Sequence, residues 1–252
     1  MLSDLYVTGI KLTGDIPEGS YLHDLPVVKH LKKMERLSIG KRVTFFVGEN
    51  GVGKSTLIEA IAVSMGFNPE GGTVNFNFST EDSHSELFRY LTVCKGVKRR
   101  RDGFFLRAES FYNVATNIDA MDSEPSYGVK AVPVISSYGG VSLHKQSHGE
   151  SFMALVENRF GGNGLYILDE PEAALSPSRQ LRLMYCIDDL VKHDSQFIIA
   201  THSPILMAFP GAEVFELSEK GINSVPYQET EHFRIAKQFL NAPEKMLEYL
   251  LK

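Results

Sequence analysis

With 252 residues, 43% of them hydrophobic and 23% charged, and a formal net charge of -5, the chain has the composition of a globular protein with a sizeable core, which excludes disordered and fibrous classes. No apolar run approaches the roughly 18 to 20 residues of a membrane span, and Met1-Leu2-Ser3-Asp4 has neither the basic start nor the apolar stretch of a secretion signal, so a cytoplasmic protein without membrane insertion is expected. Cys94 and Cys186 stand far apart and outside any C-x-x-C pair, which argues for buried small hydrophobes rather than a disulfide or zinc framework.

The first segment, Leu5 to Leu12, alternates like an edge strand, and Leu25 to Leu37 has the spacing of an amphipathic helix. Val43-Thr44-Phe45-Phe46-Val47 is β-branched and aromatic, as a buried parallel strand requires, and Leu57-Ile58-Glu59-Ala60-Ile61-Ala62 places apolar residues at helical spacing. Between them lies Gly48-Glu49-Asn50-Gly51-Val52-Gly53-Lys54-Ser55-Thr56, a complete G-x-x-x-x-G-K-S loop. Small residues there let successive backbone N–H groups converge on an anion at the positive end of the next helix. A triphosphate fits that cradle. Lys54 is expected to reach its β- and γ-phosphates, and the Ser55 hydroxyl to hold a magnesium ion bridging the same two groups.

Residues from about 85 to 160 read as a mainly helical insert, with Glu86 to Val93 and Phe152 to Asn158 as its clearer helices. Inside it, Lys95-Gly96-Val97-Lys98-Arg99-Arg100-Arg101-Asp102-Gly103 is strongly cationic and lies between two strand-like stretches, with Asp-Gly suited to a hairpin turn. A solvated hairpin tip is the plain reading of this patch, and a nucleic-acid or partner contact the sharper one. Ser147 and Glu150 form a capping-box pattern at the start of the second helix. Gly161-Gly162-Asn163-Gly164 reads as a flexible joint.

Gly164-Leu165-Tyr166-Ile167-Leu168-Asp169-Glu170-Pro171 is a buried strand running into two carboxylates. At the carboxyl end of a strand beside the loop, Asp169 suits a magnesium ligand and Glu170 suits a group that orients and polarises the attacking water. Ser178 to Val191 reads as a helix, and Gln196 to Pro204 repeats the design of a strand ending in polar residues, here Thr201-His202-Ser203. His202 is placed to hydrogen-bond a γ-phosphate. The tail from His232 onward reads as two helices broken at Pro243.

In this order the loop, Ser147-His148-Gly149-Glu150, Leu168-Asp169-Glu170-Pro171, Ala174-Leu175-Ser176-Pro177 and Thr201-His202-Ser203 resemble an ABC-type ATPase domain, with the P-loop as Walker A and Asp169-Glu170 as Walker B. The post-acid Glu172 and the Ala-Thr-His-Ser-Pro run are similar to the RecF, SMC and OLD groups and to small AAA-family ATPases rather than to transporter subunits. The resemblance implies an α/β P-loop NTPase fold with an ABC-type core, an antiparallel β edge and a helical insert, all in one domain over residues 1–252. It implies an ATP-binding and Mg2+-dependent ATP-hydrolysing protein, with Glu170 and His202 catalytic. Glu49, Asn50, Gly51, Val52, Gly53, Lys54, Ser55 and Thr56 would bind the nucleotide from one copy, and Ser147, Gly149 and Glu150 from a second copy in an ATP-dependent homodimer. Ser55, Asp169 and Glu109 are the implied metal ligands, Glu109 standing where the family carries a glutamine. The implied output is a conformational change in a protein partner or nucleic acid; a transporter's energising subunit and a nucleotide-gated DNA-maintenance or phage-defence module are the alternatives.

Overall fold

The computed structural model describes residues 3–74, 85–108, 111–123 and 133–251. Its centre is a six-stranded sheet built from β3 (Val43–Val47), β5 (Asp102–Arg107), β6 (Gly164–Asp169), β7 (Gln196–Ala200), β8 (Glu213–Ser218) and β9 (Gly221–Ser224), in the order β5-β6-β7-β3-β8-β9. The first five neighbours run parallel, and β9 returns antiparallel along β8. Parallel strands need cover on both faces, which is why these segments read as continuous apolar runs. The pleat sorts each run into two cores. Phe45, Phe104, Tyr166 and Phe197 face a core closed by α3 (Phe111–Ser123), α4 (His148–Arg159) and α5 (Pro177–Lys192). Their neighbours Phe46, Phe105, Ile167 and Ile198 face a second core. That one is closed by α1 (Pro26–Leu31), α2 (Lys54–Ser64) and a small antiparallel sheet.

The small sheet has the order β2-β1-β4, from β1 (Val7–Leu12), β2 (Leu37–Ser38) and β4 (Leu91–Lys95). The expected edge strand is therefore the middle one, flanked on both sides. The expected helix over Leu25 to Leu37 is helical only from Pro26 to Leu31, because Leu37 leaves it to pair with Ile10. Glu86 to Val93 is not a helix either. A short 3-10 turn, Glu86–Arg89, leads into β4, where Leu91 and Val93 find a pairing edge along β1. The helical part of the expected insert is thus confined, among the described residues, to α3, α4, the Glu86–Arg89 turn and two short 3-10 turns between α3 and α4.

The cationic stretch is not a hairpin, since β4 and β5 lie in different sheets. Asp102, read as a turn residue, opens β5 and is sequestered, taking hydrogen bonds from Tyr166 Oη at 2.7 Å, Arg159 Nη1 at 2.8 Å and Gly161 N at 3.0 Å. The same Tyr166 hydroxyl accepts from Gly162 N at 3.2 Å, so the glycine run expected to be a flexible joint is tied to the sheet. Both cysteines are free and half-buried rather than fully buried. One buried side chain adds hydrogen bonds to the apolar core between the two sheets. Gln196 is fully buried and uses its amide on β1, with Oε1 accepting from Tyr6 N at 2.8 Å and Val7 N at 2.9 Å, and Nε2 donating to Val7 O at 2.8 Å.

The tail forms α6 (Glu231–Asn241) and α7 (Pro243–Leu250), separated at Pro243 as the proline rule requires. Neither helix buries a residue.

Candidate nucleotide site

The strand register brings the chemistry together. Phe46 in β3 pairs with Ala200 in β7, and Ala200 pairs with Asp169 in β6, so β3, β6 and β7 end on one edge of the sheet. From that edge emerge the loop after Val47, the carboxylates Asp169 and Glu170, and the Thr201-His202 turn. Carboxyl ends of parallel strands are where α/β folds hold ligands.

The loop's backbone depends on its glycines. Gly53 (φ 97°) lies in the left-handed region, and a Cβ on it would stand 2.5 Å from Val27 Cγ1. Gly48 (φ 143°) packs so closely that a Cβ would meet the Leu217 carbonyl oxygen at 2.2 Å. Helix α2 starts at Lys54 directly after this turn, so its first N–H groups and the positive end of its dipole face the loop. Glu49, Asn50 and Gly51 are exposed, Val52 is buried against the fold with its carbonyl accepting from Val27 N at 3.1 Å, and Thr56 is half-buried on α2.

Lys54 is buried, with Nζ donating to Glu49 O at 3.1 Å inside its own loop. Burial lowers its pKa, while the carboxylates of Glu170, Asp169, Glu172 and Glu49 oppose that shift. The cation therefore sits among four carboxylates. Ser55 Oγ donates to Asp169 Oδ1 at 3.2 Å, joining residues 114 positions apart in sequence. A hydroxyl and a carboxylate are the hard oxygen donors that magnesium prefers, with phosphate oxygens and waters completing its shell. Among the described residues no group of three or more acidic, histidine or cysteine side chains is placed to hold a metal ion by itself.

Glu170 follows in a left-handed conformation (φ 49°, ψ 52°) that is costly for a non-glycine residue and typical of functional sites. The backbone turn aims its carboxylate at His202, whose Nε2 lies 3.3 Å from Glu170 Oε1. Burial and then Lys54 hold the His202 pKa below its ordinary value, with Glu170 opposing, which favours a neutral imidazole. His202 is held from two further directions: its backbone N donates to Glu172 Oε1, and its Nδ1 lies 2.9 Å from His232 Nε2 on α6. Glu172 is itself pushed upward in pKa, chiefly by burial.

Lys54, Ser55, Asp169, Glu170 and His202 thus share one site. Ser147, Gly149 and Glu150 do not join it through any contact among the described residues. The capping box forms as expected, with Ser147 N donating to Glu150 Oε2 at 3.0 Å, and the other Glu150 oxygen lies 3.4 Å from Arg179 Nη2. Gly149 abuts Arg179 and the Ala174 carbonyl. The start of α4 is therefore a built, exposed helix end braced by α5. Glu109 lies outside the described residues.

Sequence reasoning passed over Arg107, Glu59 and His232. Arg107 stands beside Asp169 across the β5–β6 ladder, donates from Nη1 to Glu59 Oε2 at 2.8 Å, and brings Nε to 3.7 Å from Asp169 Oδ2. The signal was present, since Phe104-Phe105-Leu106-Arg107 ends an apolar strand in a charge, as Tyr166-Ile167-Leu168-Asp169 does. The basic patch is weaker than its sequence suggests. Lys98 Nζ sits 3.4 Å from Asp194 Oδ1, and Arg100 stacks 4.4 Å over the Phe67 ring while donating to Met65 O.

Comparison with known proteins points to the same fold. A family model described as "AAA domain, putative AbiEii toxin, Type IV TA system" matches residues 115–208, and an "AAA domain" model matches residues 28–105. The chain is 23% identical over 197 residues to an uncharacterized ABC transporter ATP-binding protein of Haemophilus influenzae, spanning 71% of each chain. It is 24% identical over 217 residues to the energy-coupling factor transporter ATP-binding protein EcfA2 of Mycoplasmopsis pulmonis, spanning 73% of this chain and 69% of that one. The solved structure of cbiO1 from Clostridium perfringens, part of the ABC transporter complex cbiONQ, superposes with a TM-score of 0.52 at 18% identity, covering 98% of this chain and 99% of the other. The chain thus has the P-loop fold of ABC-type ATPases, and two AAA-domain models match separate stretches of it. Among the described residues no helix is long and apolar enough to cross a membrane.

Proposed function

We propose that the chain is a cytoplasmic, Mg2+-dependent ATPase that dimerises around ATP and passes the resulting closure to a protein partner or nucleic acid. The observation that carries this reading is the convergence of Ser55 on Asp169 at 3.2 Å and of Glu170 on His202 at 3.3 Å beside the buried Lys54.

In this reading the backbone N–H groups of residues 49–56 cradle the phosphates at the start of α2, and Lys54 turns from Glu49 O to the β- and γ-phosphates. Ser55 and Asp169 hold the magnesium ion, whose contribution is to neutralise charge on the phosphate oxygens. Glu170 accepts a proton from the attacking water, and His202 donates a hydrogen bond to the γ-phosphate. The Ser147–Glu150 segment of a second copy presents the N-terminus of α4 to the same phosphate, with Glu150 serving to cap that helix rather than to touch the ligand. ADP lacks the charge that this end would hold, so hydrolysis opens the dimer. The whole chain acts as one ABC-type unit, and the stretch around α3 and α4 is its signature-bearing lobe.

The test is ATP turnover together with solution mass for the wild type and Glu170→Gln. The reading requires turnover by the wild type and an ATP-dependent dimer that the variant accumulates; a wild type that neither hydrolyses ATP nor changes mass with it refutes the reading. The names of the relatives support a second reading, the energising subunit of a transporter, which stable co-purification with an integral membrane protein would establish.

A further inference from the structure

The C-terminal helix α6 reaches back to the catalytic edge at one point. Its second residue, His232, puts Nε2 2.9 Å from His202 Nδ1, with the rings 5.0 Å apart between centroids and inclined by 59°. The direction of the proton along this chain of groups follows from elementary donor and acceptor rules. An ionised Glu170 carboxylate only accepts, so the His202 nitrogen facing it, Nε2, is the one that carries hydrogen. A neutral imidazole then leaves Nδ1 as a bare acceptor, and the group opposite must donate. That group is His232 Nε2. Neither His202 Nε2 nor the remaining nitrogen of His232, Nδ1, makes a hydrogen bond among the described residues, so the carboxylate 3.3 Å from Nε2 is what sets the direction.

The geometry points to His232 as the positioning residue that locks His202 in its Nε2–H tautomer, so that His202 presents a donor to the nucleotide side of the site and never a lone pair. Without it, His202 is free to carry its proton on Nδ1, and the face toward Glu170 and a γ-phosphate becomes an acceptor opposed to anions. His232 Nε2 is the nitrogen set against His202 Nδ1, while Glu170 is an acceptor and Glu172 is engaged with the His202 backbone. His232 is held in place by the first turn of α6. Thr230 is buried, caps the helix by accepting from Phe233 N at 3.4 Å and donates to Tyr227 O at 2.6 Å, while Glu231 N donates to Glu216 Oε1 at 2.8 Å. Since α6 and α7 bury no residue, this first turn is where the C-terminal arm is fastened to the body. The arm thereby places one of its own side chains in contact with the machinery of the catalytic site.

This inference rests on the reading of His202 as a γ-phosphate donor, and the experiment separates the two. Full-length protein carrying His232→Leu, His232→Gln or His202→Ala is compared with wild type in steady-state ATP turnover, and the imidazole nitrogens are observed by 15N NMR after histidine labelling. Loss of one positioning hydrogen bond corresponds to roughly tenfold. His232→Leu should therefore lower kcat by about tenfold with KM for ATP changed by less than about twofold, and shift His202 from a single Nε2–H signature to a tautomer mixture. His232→Gln carries an amide donor near the same place and should recover kcat to within about threefold of wild type. An unchanged kcat and an unchanged His202 tautomer in His232→Leu overturn the positioning role, as does an equal fall in the Leu and Gln variants. Wild-type turnover by His202→Ala overturns the underlying reading of His202 and the positioning role with it.

Discussion

Replacing Gln196 with leucine removes a hydrogen-bonded tie between the two sheets. The wild-type amide satisfies three backbone groups of the N-terminal strand at once, the N–H groups of Tyr6 and Val7 and the carbonyl of Val7, all through a side chain with no exposed surface. Leucine fills a similar volume and satisfies none of them. At about 1–2 kcal/mol for each buried group left unpaired, the loss is roughly 3–6 kcal/mol. For a chain of this size each kcal/mol moves Tm by about 2–4 °C, so the midpoint should fall by on the order of 10 °C. Urea or thermal melts measure the total, and hydrogen exchange at the Tyr6 and Val7 amides localises it, since both should exchange faster in the variant. A loss below about 1 kcal/mol, or unchanged exchange at those two amides, would refute the argument that this side chain ties the sheets.

Three further outcomes are expected. Glu170→Gln should retain ATP binding while turnover falls by about 10²- to 10⁴-fold, the usual weight of a positioned proton acceptor, as read in a phosphate-release assay. Gly53→Ala should raise KM for ATP by about tenfold or more, because the added methyl meets both an unfavourable φ and the Val27 side chain; titration calorimetry with wild-type affinity would count against the cradle. For Asp102, burial pushes the pKa upward, but the hydrogen bonds from Tyr166, Gly161 and Arg159 outweigh it and leave the carboxyl below its ordinary value of 3.8. A carboxyl lowered in the folded state stabilises fully above 3.8 and loses that contribution as the pH falls through its folded value. Urea melts across a pH series should therefore show wild type ahead of Asp102→Asn by about 1–3 kcal/mol at neutral pH and converging with it in acid. A gap independent of pH would refute the assignment.

Much of the site was legible because its residues follow local rules. A strand, a glycine turn and a helix start suffice to place Gly48 to Thr56, and each of the segments ending at Asp169 and Ala200 announces itself as an apolar run that stops at polar groups. The same local signals misled where a segment's state depends on a distant partner. Leu91 to Lys95 takes strand form because β1 lies beside it, and Asp102 forgoes the turn its Asp-Gly pair suggests because Tyr166 and Arg159 wait across the fold.

The amino-acid order alone therefore pointed to the class of chemistry: which residues are candidates for phosphate and metal, on what kind of element, and in what succession along the chain. Contacts within a few residues are written in propensity and spacing. Only the tertiary structure decided who stands next to whom. It set Ser55 against Asp169, aimed Glu170 at His202, tied the sheets through Gln196 and brought His232 from the tail to His202. Pairings across such separations arise from strand order and helix packing, which no short window of sequence contains.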